Sequence, residues 1–169
     1  FDRLYSGTAH SYPITPGHEI IGEIVATNES RIIKDANLFC VFPLKPCRKC
    51  KYCLNFSFNL CTDYSYYGSR EAGGLSSYLE VDNWNLMKID RHITPNLINM
   101  IEPMSVVVHA FRKLKSQKEN LLLTGSGFLS YLAAIYAEYL GIEKIGLMTR
   151  NKNFLSLFGN SKKIDLDSN

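Results

Sequence analysis

Cys47, Cys50, Cys53 and Cys61 fall within fifteen residues, in the run PCRKCKYCLNFSFNLC. Thiolates bind zinc tetrahedrally, and four of them close the coordination sphere with no position left for water. A segment so composed is expected to fold as a lobe gripping a metal, a centre that holds structure and does no chemistry. The spacing C-x2-C-x2-C-x7-C also matches the first three ligands of a bacterial ferredoxin run. There the fourth cysteine follows after three residues and precedes proline; here seven residues intervene and Thr62 follows, which favours zinc. Tight C-x2-C spacing favours metal over disulfides, and metal-held thiolates suit a reducing, cytoplasmic setting. The fifth cysteine, Cys40 in LFCVF, alternates with apolar neighbours and reads as a small buried hydrophobe.

With 169 residues the chain has room for one domain, or a small domain and part of another. Apolar residues make up 46%, enough for a core. The net charge of +3 is small and dispersed, so no nucleic-acid surface is expected. No stretch reaches the roughly eighteen apolar residues of a membrane span. Phe1-Asp-Arg-Leu-Tyr5 lacks the basic head and apolar run of a signal peptide.

The first part of the chain reads as β-rich. Strands are predicted at 20–26, 38–42, 75–81 and 84–89, a pattern of short strands and turns that suits a barrel or compact sheet. The character changes after Pro95. Leu97 to Leu114 has helical spacing, with Pro103 placed to open a helix at its first turn. After the polar break 116–120, a strand (121–123), a glycine turn, a helix (129–140) ending at Gly141 and a strand (144–148) make a βαβ unit. A short helix at 153–158 and a third strand from Lys163 follow. The compositional boundary sits near Ser116, giving domains 1–115 and 116–169.

Three smaller motifs carry the chemistry. Gly17-His18-Glu19 and Ile101-Glu102-Pro103 offer imidazole and carboxylate, both good zinc ligands, and a catalytic zinc needs about three protein ligands with an open position. Glu102 also suits a helix start on dipole grounds alone. Gly125-Ser-Gly-Phe-Leu-Ser130 follows a predicted strand and opens a predicted helix, the setting of a dinucleotide fingerprint. Gly125 would make the tight turn, Gly127 would admit a pyrophosphate, and Phe128 and Leu129 begin the helix whose N-terminus favours negative charge. The third glycine of the fingerprint is Ser130 here. At the next strand end an NAD binder usually carries an acidic residue; this chain has Thr149-Arg150, with no carboxylate to repel a 2′-phosphate and a guanidinium to pair with it. That favours NADP over NAD, unless Arg150 is simply a solvated charge at a strand end.

Taken together, AHSYPITPGHEIIGEIVA, the cysteine run, YYGSREAGGLSSYLEV, IEPMSVVVHAF and LLLTGSGFLSYLAAIYAEYLG resemble the zinc-dependent medium-chain alcohol and polyol dehydrogenase family. GSREAGG and AHSYPIT are most similar to its sorbitol and galactitol-1-phosphate branch. The resemblance implies a mixed β and α/β fold, a chaperonin-10-like β-barrel catalytic domain followed by the start of a Rossmann fold. It implies a catalytic zinc on His18 with Glu19 and Glu102 as ligands or neighbours, and a structural zinc on the four cysteines. It further implies NADP or NAD as cofactor, a polyol or sugar-phosphate substrate, no membrane or nucleic-acid partner, and a homo-oligomer in full-length form. The family's first catalytic ligand, a cysteine in C-G-[ST]-D, would fall before Phe1, and only three of six Rossmann strands are expected here. An internal piece of a longer enzyme, inactive as given, is therefore expected, with a non-enzymatic zinc-binding remnant as the alternative.

Overall fold

The computed structural model describes residues 12–28, 38–89, 92–114, 120–156 and 162–165. The chain divides into two compact units, Phe1–Glu102 and Pro103–Asn169. The polar break at 116–119 lies outside the described residues, and the units part earlier, near the start of a helix. Among the described residues no helix is long and apolar enough to cross a membrane.

In the first unit β1 (Ile20–Gly22), β2 (Phe39–Val41) and β5 (Leu86–Lys88) form an antiparallel sheet in the order β1-β2-β5. Its register aligns Ile21 with Cys40 and Cys40 with Met87. β3 (Leu44–Lys45) and β4 (Ser65–Tyr66) form a second antiparallel pair. These sheets are open; the described strands do not close a barrel. Alternation along β2 sends successive side chains to opposite faces. Val41 joins Ile20 and Tyr67, against which Leu79, Val81 and Leu86 pack. Cys40 joins Ile89 and Ile98, backed by Ile21, Leu38 and Ile101. Cys40 is thus the small buried hydrophobe its neighbours suggested, 2% exposed.

The strand expected at 75–81 does not form. Ser76 donates its hydroxyl to the carbonyls of Gly73 (3.2 Å) and Tyr78 (2.8 Å), local bonds that compete with a ladder. β1 likewise stops at Gly22, short of Ala26. The two unladdered stretches line a hollow of about 600 Å³. The strand expected from Trp84 starts later, because Asn83–Asn85 makes a 3-10 turn before β5.

A partly solvated ion network ties these pieces together. Lys45 Nζ lies 2.7 Å from Glu71 Oε2 and 3.3 Å from Asp82 Oδ2, and sits over the Tyr67 ring. The Asp82 backbone N–H donates to the Tyr67 hydroxyl (3.2 Å). Burial alone would raise the Glu71 carboxyl, but the bonds from Lys45 and Ser65 outweigh it and hold the group below its ordinary value.

Short helices α1 (Lys51–Leu54) and α2 (Pro95–Ile98) precede the longer α3 (Ile101–Arg112). Pro103 sits in the first turn of α3, where its missing N–H would have no helical partner. In the second unit β6 (Leu121–Thr124), β7 (Ile145–Thr149) and β8 (Lys162–Asp165) form a parallel sheet in that order. α4 (Phe128–Tyr139) crosses from β6 to β7, and α5 (Lys152–Ser156) from β7 to β8. α4 buries Leu132, Ala134 and Ala137, and Tyr136 meets Phe111 of α3 edge to face at 5.2 Å. β7 is central and alternates buried with half-buried side chains. β6 is less buried than its apolar run suggests: Leu122 is 49% exposed, because β6 is an edge among the described strands.

The sign of the pH dependence follows from Glu71. A depressed carboxylate stabilises the fold above its unfolded pKa of about 4.3, and that stability is lost as pH falls through the lower folded value. Glu71→Gln is expected to cost about 1 kcal/mol or less at pH 7, since the pair is partly solvated, with the difference shrinking below about pH 4. Thermal unfolding of both proteins from pH 3 to 7 checks this; a gap that widens in acid refutes it.

Candidate metal centres and nucleotide turn

The cysteine lobe has little apolar substance. Between Cys47 and Cys61 lie only α1 and one 3-10 turn, Phe58–Leu60. The interior is sulfur: Cys53 and Cys61 are 4% and 6% exposed. The Cys47 N–H donates to Cys61 Sγ (3.2 Å), and the Cys50 N–H to Cys47 Sγ (3.4 Å). Sγ separations of 3.9 Å (Cys47–Cys53) and 4.0 Å (Cys50–Cys61) approach the ~3.8 Å edge of a tetrahedron with metal–sulfur bonds of about 2.3 Å. All four sulfurs lie within 4.8 Å of one another.

The electrostatics suit a cation. Backbone bonds at Cys53 and Thr62 bring the Cys50 thiol down to about 6. Burial opposes ionisation of Cys61, but backbone bonds at Cys47 and Asp63 outweigh it and lower that thiol as well. Burial and its sulfur neighbours push Cys53 up to about 12. Two thiols are thus eased towards the thiolate, while burial and its sulfur neighbours hold a third back, a cost that a cation at their centre would offset. Arg48, at φ 61, turns the chain between the first two cysteines and lays its guanidinium over Trp84, 4.8 Å from the ring centroid.

His18, Glu19 and Glu102 form a second cluster, with one candidate ligand atom from each within 4.8 Å of the others. A close backbone approach seats His18. Gly73 and Gly74 N–H groups donate to Thr15 (2.8 Å) and Gly17 (2.9 Å) carbonyls, and Leu75 N–H to Pro16 (3.0 Å). A side chain on Gly68 or Gly73 would run into the Gly17 carbonyl, so only glycine permits this approach. His18 and Glu19 are exposed and Glu102 is half-buried in the first turn of α3. Burial raises the Glu102 carboxyl; His18 opposes the rise and Glu19 adds to it. Two carboxylates and an imidazole converging in this way can hold a divalent cation and leave a coordination position open.

Sequence reasoning missed Tyr66. Its ring lies 5.9 Å from that of His18, centroid to centroid, tilted by 58°. Burial and the Glu102 charge push its phenol up to about 12. The signal was the pairing of β4 with β3 across the cysteine lobe, which two-residue strands do not announce in a sequence.

In the second unit Gly125 takes φ 101 and its N–H donates to the Met148 carbonyl (2.9 Å), fastening the turn to β7. Gly127 precedes the first residue of α4, and the space where a side chain would project from it is open. Ser130 Oγ lies 3.5 Å from the position a Gly125 Cβ would take, so the small serine fits where a third glycine was expected. Phe128 and Leu129 are half-exposed at 49% and 47%. Thr149 is buried, and its Oγ1 accepts the Asn151 N–H (3.0 Å); Arg150 is exposed at the same strand end.

Residues 2–91 match the alcohol dehydrogenase GroES-like domain family. Galactitol 1-phosphate 5-dehydrogenase of Escherichia coli K12 is 31% identical over 160 residues, which is 92% of this chain and 45% of the enzyme. The crystal structure of galactitol-1-phosphate dehydrogenase from E. coli superposes with a TM-score of 0.84 at 29% identity, covering 95% of this chain and 48% of that one. A Sinorhizobium meliloti protein solved with bound NADP shares the fold, with a TM-score of 0.86 at 22% identity over 98% of this chain and 50% of its own. The chain thus spans less than half the length of the curated relative described.

Metal content separates the two clusters. Cys50→Ser is expected to lower bound zinc by about one equivalent and to loosen the lobe, because three thiolates no longer close the sphere. His18→Ala is expected to leave that equivalent in place. Elemental analysis of zinc-loaded protein checks both, and unchanged zinc in Cys50→Ser would falsify the four-sulfur assignment.

Proposed function

Since the chain belongs to the alcohol dehydrogenase GroES-like domain family, which it shares with polyol dehydrogenases, we propose that it is the part of a zinc-dependent oxidoreductase that moves a hydride between a polyol or sugar-phosphate alcohol and a nicotinamide cofactor. The observation that carries this reading is the presence, in one compact unit, of two unlike ligand clusters. One offers four sulfurs and is closed; the other offers a nitrogen and carboxylate oxygens and stays accessible. On this reading Cys47, Cys50, Cys53 and Cys61 hold a structural zinc, and His18, Glu19 and Glu102 hold a catalytic one.

Zinc at the second cluster would supply Lewis-acid polarisation of a substrate oxygen. The residues around it bind and orient. His18 offers an imidazole nitrogen, and the Glu19 and Glu102 carboxylates, costly to hold together unaided, would be relieved by a cation. In the second unit the N–H groups at the start of α4 would hold a pyrophosphate, since the helix dipole there favours negative charge. Arg150 would pair with a 2′-phosphate, which would favour NADP over NAD; no carboxylate stands at Thr149–Arg150 to oppose it. The free thiols suit a reducing, cytoplasmic setting.

Two measurements test this on the complete zinc-loaded protein. Steady-state oxidation across a panel of polyols and sugar-alcohol phosphates should give turnover with at least one, lost by at least about a hundredfold in His18→Ala. Absence of turnover with both zinc sites filled supports a non-enzymatic zinc-binding role instead. For the cofactor, Arg150→Ala should raise KM for NADP about ten- to a hundredfold, the worth of one charge-assisted bond, and change KM for NAD far less. An unaltered preference removes Arg150 from the site.

A further inference from the structure

Resting on the reading of His18, Glu19 and Glu102 as the reacting centre, we propose that Tyr66 orients the substrate by hydrogen bonding, through its phenol, to a hydroxyl adjacent to the one that reacts. The argument begins with strand geometry. Tyr66 and Tyr67 are consecutive, so their side chains leave the backbone in opposite directions. Tyr67 goes into the core, 2% exposed, and its hydroxyl accepts the Asp82 N–H. Tyr66 goes the other way and meets the ring of His18.

Its backbone is firmly held. The Tyr66 carbonyl accepts N–H groups from Ser69 (3.3 Å), Arg70 (2.9 Å) and Glu71 (3.1 Å), and the residue pairs with Leu44 across β3. The ring is half-buried, and the Glu102 carboxylate is near enough to act on its phenol. Among the described residues, however, the Tyr66 hydroxyl makes no hydrogen bond. Tyrosine hydroxyls in partly buried places usually find a partner. A phenol both donates and accepts, which matches a neighbouring alcohol group of a polyhydroxylated substrate. It carries no charge among two carboxylates, so it recognises a neutral part of that substrate.

The test compares Tyr66→Phe with wild type in the complete zinc-loaded protein, since phenylalanine keeps the ring against His18 and removes only the hydroxyl. The ratio of kcat/KM for a polyol to that for a monoalcohol of equal chain length should fall about three- to tenfold, the worth of one neutral hydrogen bond, mainly through KM. Calorimetric titration of the polyol without nicotinamide should show a matching rise in Kd, while zinc content and unfolding temperature stay at wild-type values. A polyol-to-monoalcohol ratio and a Kd both unaltered in an active protein overturn the assignment of Tyr66 alone. If wild type neither turns over nor binds any polyol, the dehydrogenase reading falls and takes this inference with it.

Discussion

Four thiols converging within 4.8 Å of one another are the constraint on which the first unit depends. The lobe from Cys47 to Cys61 draws little on apolar burial: Leu54, Phe56 and Leu60 are 67%, 82% and 54% exposed, and half-buried Phe58 packs edge to face on Trp84. Its inside is sulfur, so on the proposed reading its folding energy is in large part metal-binding energy. The lobe also closes the chain between β3, which ends at Lys45, and β4, which starts at Ser65. Two strands of two residues each have no independent stability in water. A tethered lobe brings their ends together and lowers the entropy cost of pairing them. On that reading, gripping the metal and forming the β3–β4 pair are one event.

From that pair the order propagates to the accessible cluster. β4 sends Tyr67 inward and Tyr66 towards His18, while the turn after it returns as Glu71 to bond Lys45. The same loop then presents Gly68 and Gly73 to the Gly17 carbonyl, an approach that side chains would block. The His18 backbone is thereby positioned by this close packing, and its ring meets that of Tyr66. Glu102 arrives from a different direction, in the first turn of α3.

Patterns that depend on near neighbours were legible in the sequence. Cysteine spacing located the lobe, and the run from Leu121 through Gly125 to Gly141 located β6, α4 and β7 within a residue or two of where they lie. The His18–Glu19–Glu102 grouping was offered by ligand chemistry and strengthened by resemblance, since no periodicity links positions so far apart. What failed depended on partners. The 75–81 stretch has strand composition, yet Ser76 bonds its own backbone and no ladder forms. Leu122 looks like a core residue but lies exposed on an edge strand. β3 and β4 went unseen because pairing across a metal lobe, and not propensity, makes them strands.

On the proposed reading, net charge explains why two metals of one kind would behave differently. Four thiolates around a divalent cation leave a charge of about −2, which is poor at accepting further electron density from any ligand. Arg48, Lys49 and Lys51, set among those cysteines in sequence, offset that charge and stabilise the closed centre. An imidazole with two carboxylates leaves the second centre near neutral, so the cation there keeps its appetite for an oxygen lone pair. Neutrality also shapes selection around it. With no net field to draw an anion, discrimination falls to hydrogen bonds of fixed direction, and among the groups beside that cluster the Tyr66 phenol is a neutral one with its hydroxyl unused.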